Sequence, residues 1–200
     1  MPDISLTNIT SVAAVSIALS VVAAFLIHWL LYAIAVRVVR TRMTPILLPE
    51  IFQPTRWLVV LFALGAGLQP LEMGPRVEGL WSIGSKMLFA LLAGWLLLGI
   101  LRAVRQVIES HSDINAEDNL KARRRHTRVR ILYRIIQSII AVLVIAMVLI
   151  AIPGVRSIGV TLAASAGLVG LAVGAAAQPA LKNLIAGIQM AFSEPIRLDD

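Results

Sequence analysis

Residues 157–178 read SIGVTLAASAGLVGLAVGAAAQ, a stretch long enough to cross a bilayer as a helix and unusually rich in small side chains. No charged residue lies between Arg156 and Lys182. Small residues let helix backbones approach closely in a membrane, so the stretch predicts a membrane helix that packs tightly against other helices. Within 163–177 every residue is Gly, Ala or Ser except Leu168, Val169, Leu171 and Val173.

Successive residues of an α-helix are about 100° apart, so this helix has two small-residue edges separated by two larger faces. We name three of these groups as follows: the glycine edge is Ala163, Gly167, Gly170 and Gly174; the alanine edge is Ser165, Ala172 and Ala176; the gate face is Leu168, Leu171 and Ala175. Leu162, Val169 and Val173 form the second larger face. Composition alone is equally consistent with a helix that simply packs against neighbours within its own chain.

The two edges allow a further arrangement, in which the glycine edge of one copy meets the alanine edge of the next. Heterologous contacts of this kind close into a ring, and one larger face then points to the central axis. With Leu171 and Leu168 on that axis, the ring would have a narrow apolar constriction that closes by dewetting. Such a lining coordinates no dehydrated ion, so we expect a pore of low selectivity.

The rest of the chain is also too apolar for a water-soluble domain. Hydrophobic residues make up 58% of the 200 residues, charged residues only 14%, and the mean hydropathy is +0.86. Ordinary globular chains are roughly 45–50% apolar and about 25% charged. Four more stretches suffice to span a hydrocarbon core of about 30 Å. The sequence therefore predicts an all-α membrane protein with five transmembrane helices, at 11–36, 55–71, 80–101, 131–152 and 157–178.

The distribution of basic residues predicts the orientation of these helices. The formal net charge is +7, and most Lys and Arg lie in 37–56, in 102–130 and in the tail beyond Gln178. Because cytoplasmic loops retain basic residues, we expect the N-terminus outside and the C-terminus in the cytoplasm. The chain has no Cys, no phosphate-binding glycine loop and no evident nucleophile–base pair. We therefore expect no enzymatic activity, no cofactor, no metal site and no nucleic-acid partner.

A proline marks the end of the predicted pore helix. Gln178-Pro179 is expected to kink the chain, because proline removes a backbone donor and crowds the preceding turn. The residues after it predict an amphipathic helix over 180–193, suited to an interface or to coupling with the pore helix. The residues expected to carry this coupling are Leu181, Asn183, Leu184 and Ile188.

The run Gly170-Leu171-Ala172-Val173-Gly174, followed by Ala177-Gln178, Asn183, Ala186-Gly187 and Pro195, resembles the pore-helix signature of the small-conductance mechanosensitive channel family. The resemblance is most specific over about 155–200 and diffuse upstream. It implies a homoheptameric, tension-gated channel of the bacterial inner membrane that releases ions and small solutes on hypo-osmotic shock. The four helices within 1–152 would then sense tension, and 153–200 would hold the pore helix, the kink, the amphipathic helix and the start of a cytoplasmic β domain.

Several residues depart from the family pattern. Ala175 stands where the type member has a second gate leucine, so the lower constriction should be wider or the gate should shift toward Leu168. Leu168 itself stands where the type member has alanine, and Pro179 replaces glycine at the kink. Since the chain stops at Asp200, we expect these residues to be the membrane portion of a longer protein.

Two other functions remain as alternatives. Helices interrupted by Gly and Pro also build substrate sites in secondary transporters, although we find no matching internal repeat. A non-conducting membrane scaffold would use the small-residue helix only for assembly. His28 lies inside the first span, where we favour a neutral histidine, bonded to another helix or near the inner interface, over a proton-linked site. An acidic cluster with His111 nearby is interpreted as a solvated connector; it comprises Asp113, Glu117 and Asp118.

Overall fold

The computed structural model describes residues 6–38, 44–69, 74–110 and 119–193 of the chain. They form five α-helices, and a single 3-10 turn at Pro153–Val155 joins the last two. No β-strand is present in these described ranges. The helices are α1 (Leu6–Val38), α2 (Thr44–Leu68), α3 (Pro75–Ser110), α4 (Asn119–Ala151) and α5 (Arg156–Ser193).

Each helix contains a segment that is long and apolar enough to cross a membrane, which confirms the predicted five-helix, all-α membrane architecture for the described residues. Apolar residues line most of each segment, and few of them are buried within the chain. An exposed apolar surface on every helix is what lipid requires, since lipid tails replace the protein core as the solvent. The segments are Ala14–Arg37, Leu48–Leu68, Pro75–Glu109, Thr127–Ala151 and Pro153–Phe192.

The second helix begins earlier than predicted. We expected a short span at 55–71 with Pro54 in its first turn, but α2 starts at Thr44 and contains both Pro49 and Pro54. Pro54 is fully buried. The next residue, Thr55, donates its hydroxyl hydrogen to the carbonyl oxygens of Ile51 (2.8 Å) and Phe52 (3.0 Å) of the preceding turn. Pro54 leaves the backbone carbonyl of Glu50, four residues earlier, without its usual helical partner, and a membrane helix accommodates such a site by local adjustment. The predicted end at Leu71 lies outside the described residues.

The third and fourth helices extend well past their predicted ends. The predicted spans were 80–101 and 131–152, whereas α3 runs over 36 residues and α4 over 33. At about 1.5 Å per residue, α3 is about 54 Å long, almost twice the hydrocarbon thickness of about 30 Å. Much of the segment 102–130 is thus helical. The predicted acidic connector within 111–118 lies outside the described residues.

The fifth helix continues across the predicted break. α5 is helical from Arg156 to Ser193 with Pro179 inside it, so the kink at Gln178-Pro179 and a separate helix over 180–193 are not confirmed. Proline leaves the carbonyl of Ala175 without its usual helical partner, but a membrane helix accommodates one such site by local adjustment. A single helix of 38 residues, about 57 Å long, therefore stands where two were expected.

The helices pack as a single row, in which each contacts only its neighbours in the sequence among the described residues. Neighbours run antiparallel: Ser16, near the start of α1, hydrogen-bonds to the carbonyl of Gly67, near the end of α2. We call the end of the row where α2 meets α3 and α4 meets α5 the upper end, and the opposite end the lower end. No helix closes the row into a bundle, so both sides of it stay open.

Glycines create the close contacts in this row. A Cβ on Gly67 would lie 3.2 Å from the Cα of Ile17 on α1. A Cβ on Gly99 would collide with the backbone carbonyl of Glu50 on α2, and one on Gly94 would collide with Val144 on α4. Each of these glycines is buried. The absence of a side chain is therefore what lets adjacent backbones approach.

Candidate pore helix

The upper part of α5 packs firmly against α4. A Cβ on Gly159 would lie 2.7 Å from the carbonyl oxygen of Ala146 and 2.7 Å from the backbone nitrogen of Ile150. Leu162, Ala163 and Ala166 are half-buried on the same helix. This contact and the 3-10 turn at Pro153–Val155 hold the start of α5 against the end of α4.

Below Ala166 the helix contacts no other part of the described chain closely enough to bury a side chain. Every residue from Gly167 to Phe192 is exposed. On the gate face Leu168 is 68% exposed and Leu171 is 73% exposed. A Cβ on Gly167, Gly170 or Gly174 would meet nothing within 4 Å. About two thirds of this helix is therefore exposed and buries no side chain against another described helix.

The structure makes 163–177 continuously helical, which is the condition for the glycine edge, alanine edge and gate face to exist. All members of the gate face and all members of the alanine edge from Ser165 on are exposed. On the glycine edge only Ala163 is partly covered. One chain therefore brings these residues onto one helix but does not bring them together into a pore.

The hydroxyl groups of α5 are satisfied by their own helix. Thr161 donates a hydrogen bond to the carbonyl of Ser157 (2.9 Å), and Ser165 donates one to the carbonyl of Thr161 (2.8 Å). Because the Ser165 hydroxyl donates to a carbonyl of its own helix, the alanine edge has no side-chain donor directed away from the helix. Such a surface suits close contact between backbones rather than recognition of a polar ligand.

The predicted coupling residues lie on the last turns of the same helix. Leu181, Asn183, Leu184 and Ile188 are all exposed, and so are Gln178 and Pro179. Phe192, at the end of this stretch, is 87% exposed. These residues continue the exposed part of α5 instead of folding back onto the row.

A polar group between α1 and α2 is a second feature in the membrane-spanning region. His28 is buried, and its Nε2 lies 3.2 Å from the hydroxyl of Thr55. The ring of Phe52 packs against His28 with centroids 4.1 Å apart and against Tyr32 at 4.0 Å. The histidine therefore has a polar partner on another helix.

Sequence reasoning missed an ion pair between α2 and α3. Arg102 Nη1 lies 3.0 Å from Glu50 Oε2, beside the close approach of Gly99. A helix start near Pro54 places Glu50 in a connecting segment, so the sequence does not predict this pair. Once α2 begins at Thr44, Glu50 faces the lower part of α3 and holds the two helices together there.

Comparison with known proteins finds no match to a protein family, to a curated protein or to a solved structure. What α5 does is consequently inferred from its own sequence and contacts.

Proposed function

We propose that the protein is one subunit of a tension-gated ion channel, in which the α5 helices of several copies surround a central pore. The observation that carries this proposal is the part of α5 from Gly167 to Phe192. It belongs to a helix long and apolar enough to cross a membrane, and all of it is exposed in the single chain. Other copies of the same helix are the partners that its surface fits best.

The use of glycine elsewhere in the chain supports this inference. At Gly67, Gly94, Gly99 and Gly159 an adjacent helix occupies the space that a side chain would need. On the glycine edge Gly167, Gly170 and Gly174 have no such neighbour. A small side chain that faces lipid does not improve packing. It improves packing only where it lets the backbone of another helix approach closely. If the glycine edge of each subunit contacts the alanine edge of the next one around an axis, every glycine edge has an adjacent helix.

The gate follows from the same arrangement. With both edges occupied by neighbours, the gate face points to the axis, and the side chains of Leu171 and Leu168 narrow the pore. A constriction of leucines excludes water when narrow and wets when widened, so it blocks ions without a plug. Ala175 is too small to form a second barrier. The resulting channel would pass ions and small solutes with little selectivity.

Tension would act through the row of helices α1 to α4. Both sides of this row are open and carry exposed apolar side chains, so the row has a large contact with lipid. Membrane tension favours whichever state has the larger in-plane area, as any effector favours the state with which it interacts better. The Gly159 contact and the Pro153–Val155 turn would pass the movement of α4 to the upper end of α5.

The finer features of the proposal come from the charge distribution and from the family resemblance. They are seven subunits, a bacterial inner membrane, an outside N-terminus and a cytoplasmic C-terminus. In the assembled channel, a bend at Gln178-Pro179 would turn 180–193 into an interfacial helix. Leu181, Asn183, Leu184 and Ile188 would then couple that helix to the membrane surface or to a neighbouring subunit.

Patch-clamp recording of the protein in liposomes under suction tests the proposal. We expect conductance that appears with tension, and we expect Leu171→Ser to lower the tension needed because it hydrates the constriction. Val169→Ser is the matched control, since Val169 is equally exposed on α5 but lies away from the gate face. Substrate-dependent flux without tension-activated current would indicate a transporter, and silence would indicate a scaffold. Equal effects of the two serine variants would contradict the assignment of the gate face.

A further inference from the structure

A cavity of about 1430 Å³ lies at the upper end of the row, between α2, α3, α4 and the start of α5. It is larger than the roughly 300–1,000 Å³ of a typical small-molecule site. Apolar side chains from three helices form much of its wall, among them Leu61, Phe62, Phe89, Met147 and Ile150. An occupant of this cavity must therefore have a long apolar part.

The wall also includes polar and positively charged side chains. Lys86 of α3 and Arg156 of α5 both line the cavity, together with Gln69, Ser82 and Ser85. No Asp or Glu of the described chain lines it, and neither cation forms an ion pair with a described residue. Two basic side chains facing one space without a carboxylate favour an anionic ligand.

We propose that this cavity binds an anionic phospholipid from the leaflet at the upper end of the row. The phosphate would lie between Lys86 and Arg156, and the acyl chains would lie along the wall of Leu61, Phe62 and Phe89. A phospholipid combines a negative headgroup with long apolar chains, which is the combination that this lining requires. Lys86 is about two turns below Leu80, the start of the predicted span, so its long side chain reaches toward the headgroup level by snorkelling.

The site has a mechanical consequence, because its two cations belong to different parts of the molecule. Lys86 is on the row of helices, and Arg156 is the first residue of α5. A lipid phosphate held by both would tie the top of α5 to α3, which it otherwise does not contact in the described chain. Lipid binding itself requires only that the helices lie in a membrane, so this inference goes beyond the proposed channel function and can fail or hold independently of it.

Fluorescence quenching of Trp81, which lines the cavity, tests the proposal. A variant with Phe at the other three tryptophans, Trp29, Trp57 and Trp95, leaves Trp81 as the reporter. The protein is reconstituted in phosphatidylcholine vesicles that contain brominated phosphatidylglycerol or, separately, brominated phosphatidylcholine. We expect brominated phosphatidylglycerol to quench Trp81 more strongly. The double variant Lys86→Gln/Arg156→Gln should weaken this preference by about fivefold for each cation removed.

Two further variants serve as controls. Arg76→Gln removes a cation near the upper end of α3 that does not line the cavity, and we expect it to keep the preference. Lys86→Arg/Arg156→Lys keeps both charges and should keep it too, which separates loss of charge from misfolding. Equal quenching by the two lipids would overturn the proposal, and so would an equal loss in Arg76→Gln. Absence of quenching by either lipid would indicate that a second copy covers the cavity.

Discussion

The α4–α5 joint gives the most direct prediction from the structure. In Gly159→Ala the new methyl group would lie 2.7 Å from a carbonyl oxygen and 2.7 Å from a backbone nitrogen of α4. Ordinary van der Waals contact begins at 3.4 Å, so the helices must separate by about 0.7 Å (3.4 minus 2.7). Overpacking of this kind costs about 1–3 kcal/mol, against which Ala gains about 1 kcal/mol in helix propensity. We expect a net loss of about 0–2 kcal/mol.

The measurement is thermal unfolding of the purified protein in detergent, compared with that of Gly84→Ala. Gly84 is also inside a helix long and apolar enough to span a membrane, but a Cβ there meets no described residue within 4 Å, so Gly84→Ala keeps the propensity gain of about 1 kcal/mol and should be stabilising. The same two variants should differ in the patch clamp, because only Gly159→Ala loosens the joint that we propose passes tension to α5. Equal or greater stability of Gly159→Ala relative to Gly84→Ala would refute the reasoning about this contact.

Three further predictions concern other contacts. Gly170→Val should leave the fold of one chain intact, because a Cβ at Gly170 lies more than 4 Å from every described residue outside its own helix. It should abolish assembly, seen as loss of the oligomer in cross-linking, and a normal oligomer would contradict the glycine edge. Glu50→Gln removes the ion pair with Arg102 and should lower stability by about 1 kcal/mol or less, measured by thermal unfolding, because both side chains are partly exposed. His28→Phe and Thr55→Val, combined in a double-mutant cycle, should show a coupling of about 0.6 kcal/mol, and zero coupling would exclude the hydrogen bond.

The number and nature of the helices could be predicted from the sequence because the membrane imposes a simple rule. Each span needs about 20 apolar residues, and each of the five hydrophobic stretches meets that rule closely enough to be found. Helix ends were harder to predict. Proline is typical of a first helical turn, which predicts a start of α2 near Pro54, whereas the structure continues the helix ten residues further back, to Thr44. Gln178-Pro179 likewise predicts a break, within what the structure gives as one helix.

The functional residues of α5 could be grouped into faces from their spacing, but their partners could not be identified. The sequence does not distinguish a glycine that a neighbouring helix contacts, such as Gly94 or Gly159, from one that has no neighbour, such as Gly170. That distinction depends on which helices are adjacent in space. For the same reason the ion pair of Glu50 with Arg102 and the upper cavity were not predicted, since each joins residues far apart in the sequence.

The single-row packing also bears on how the protein is made. Since every helix contacts only the one before and the one after it among the described residues, each new helix meets its partner as soon as it leaves the ribosome. Insertion can therefore proceed hairpin by hairpin, with no early segment waiting for a distant one. The part of α5 from Gly167 on, which buries no side chain against another described helix, emerges after α1 to α4, so subunits would associate only once the rest of each chain is in place.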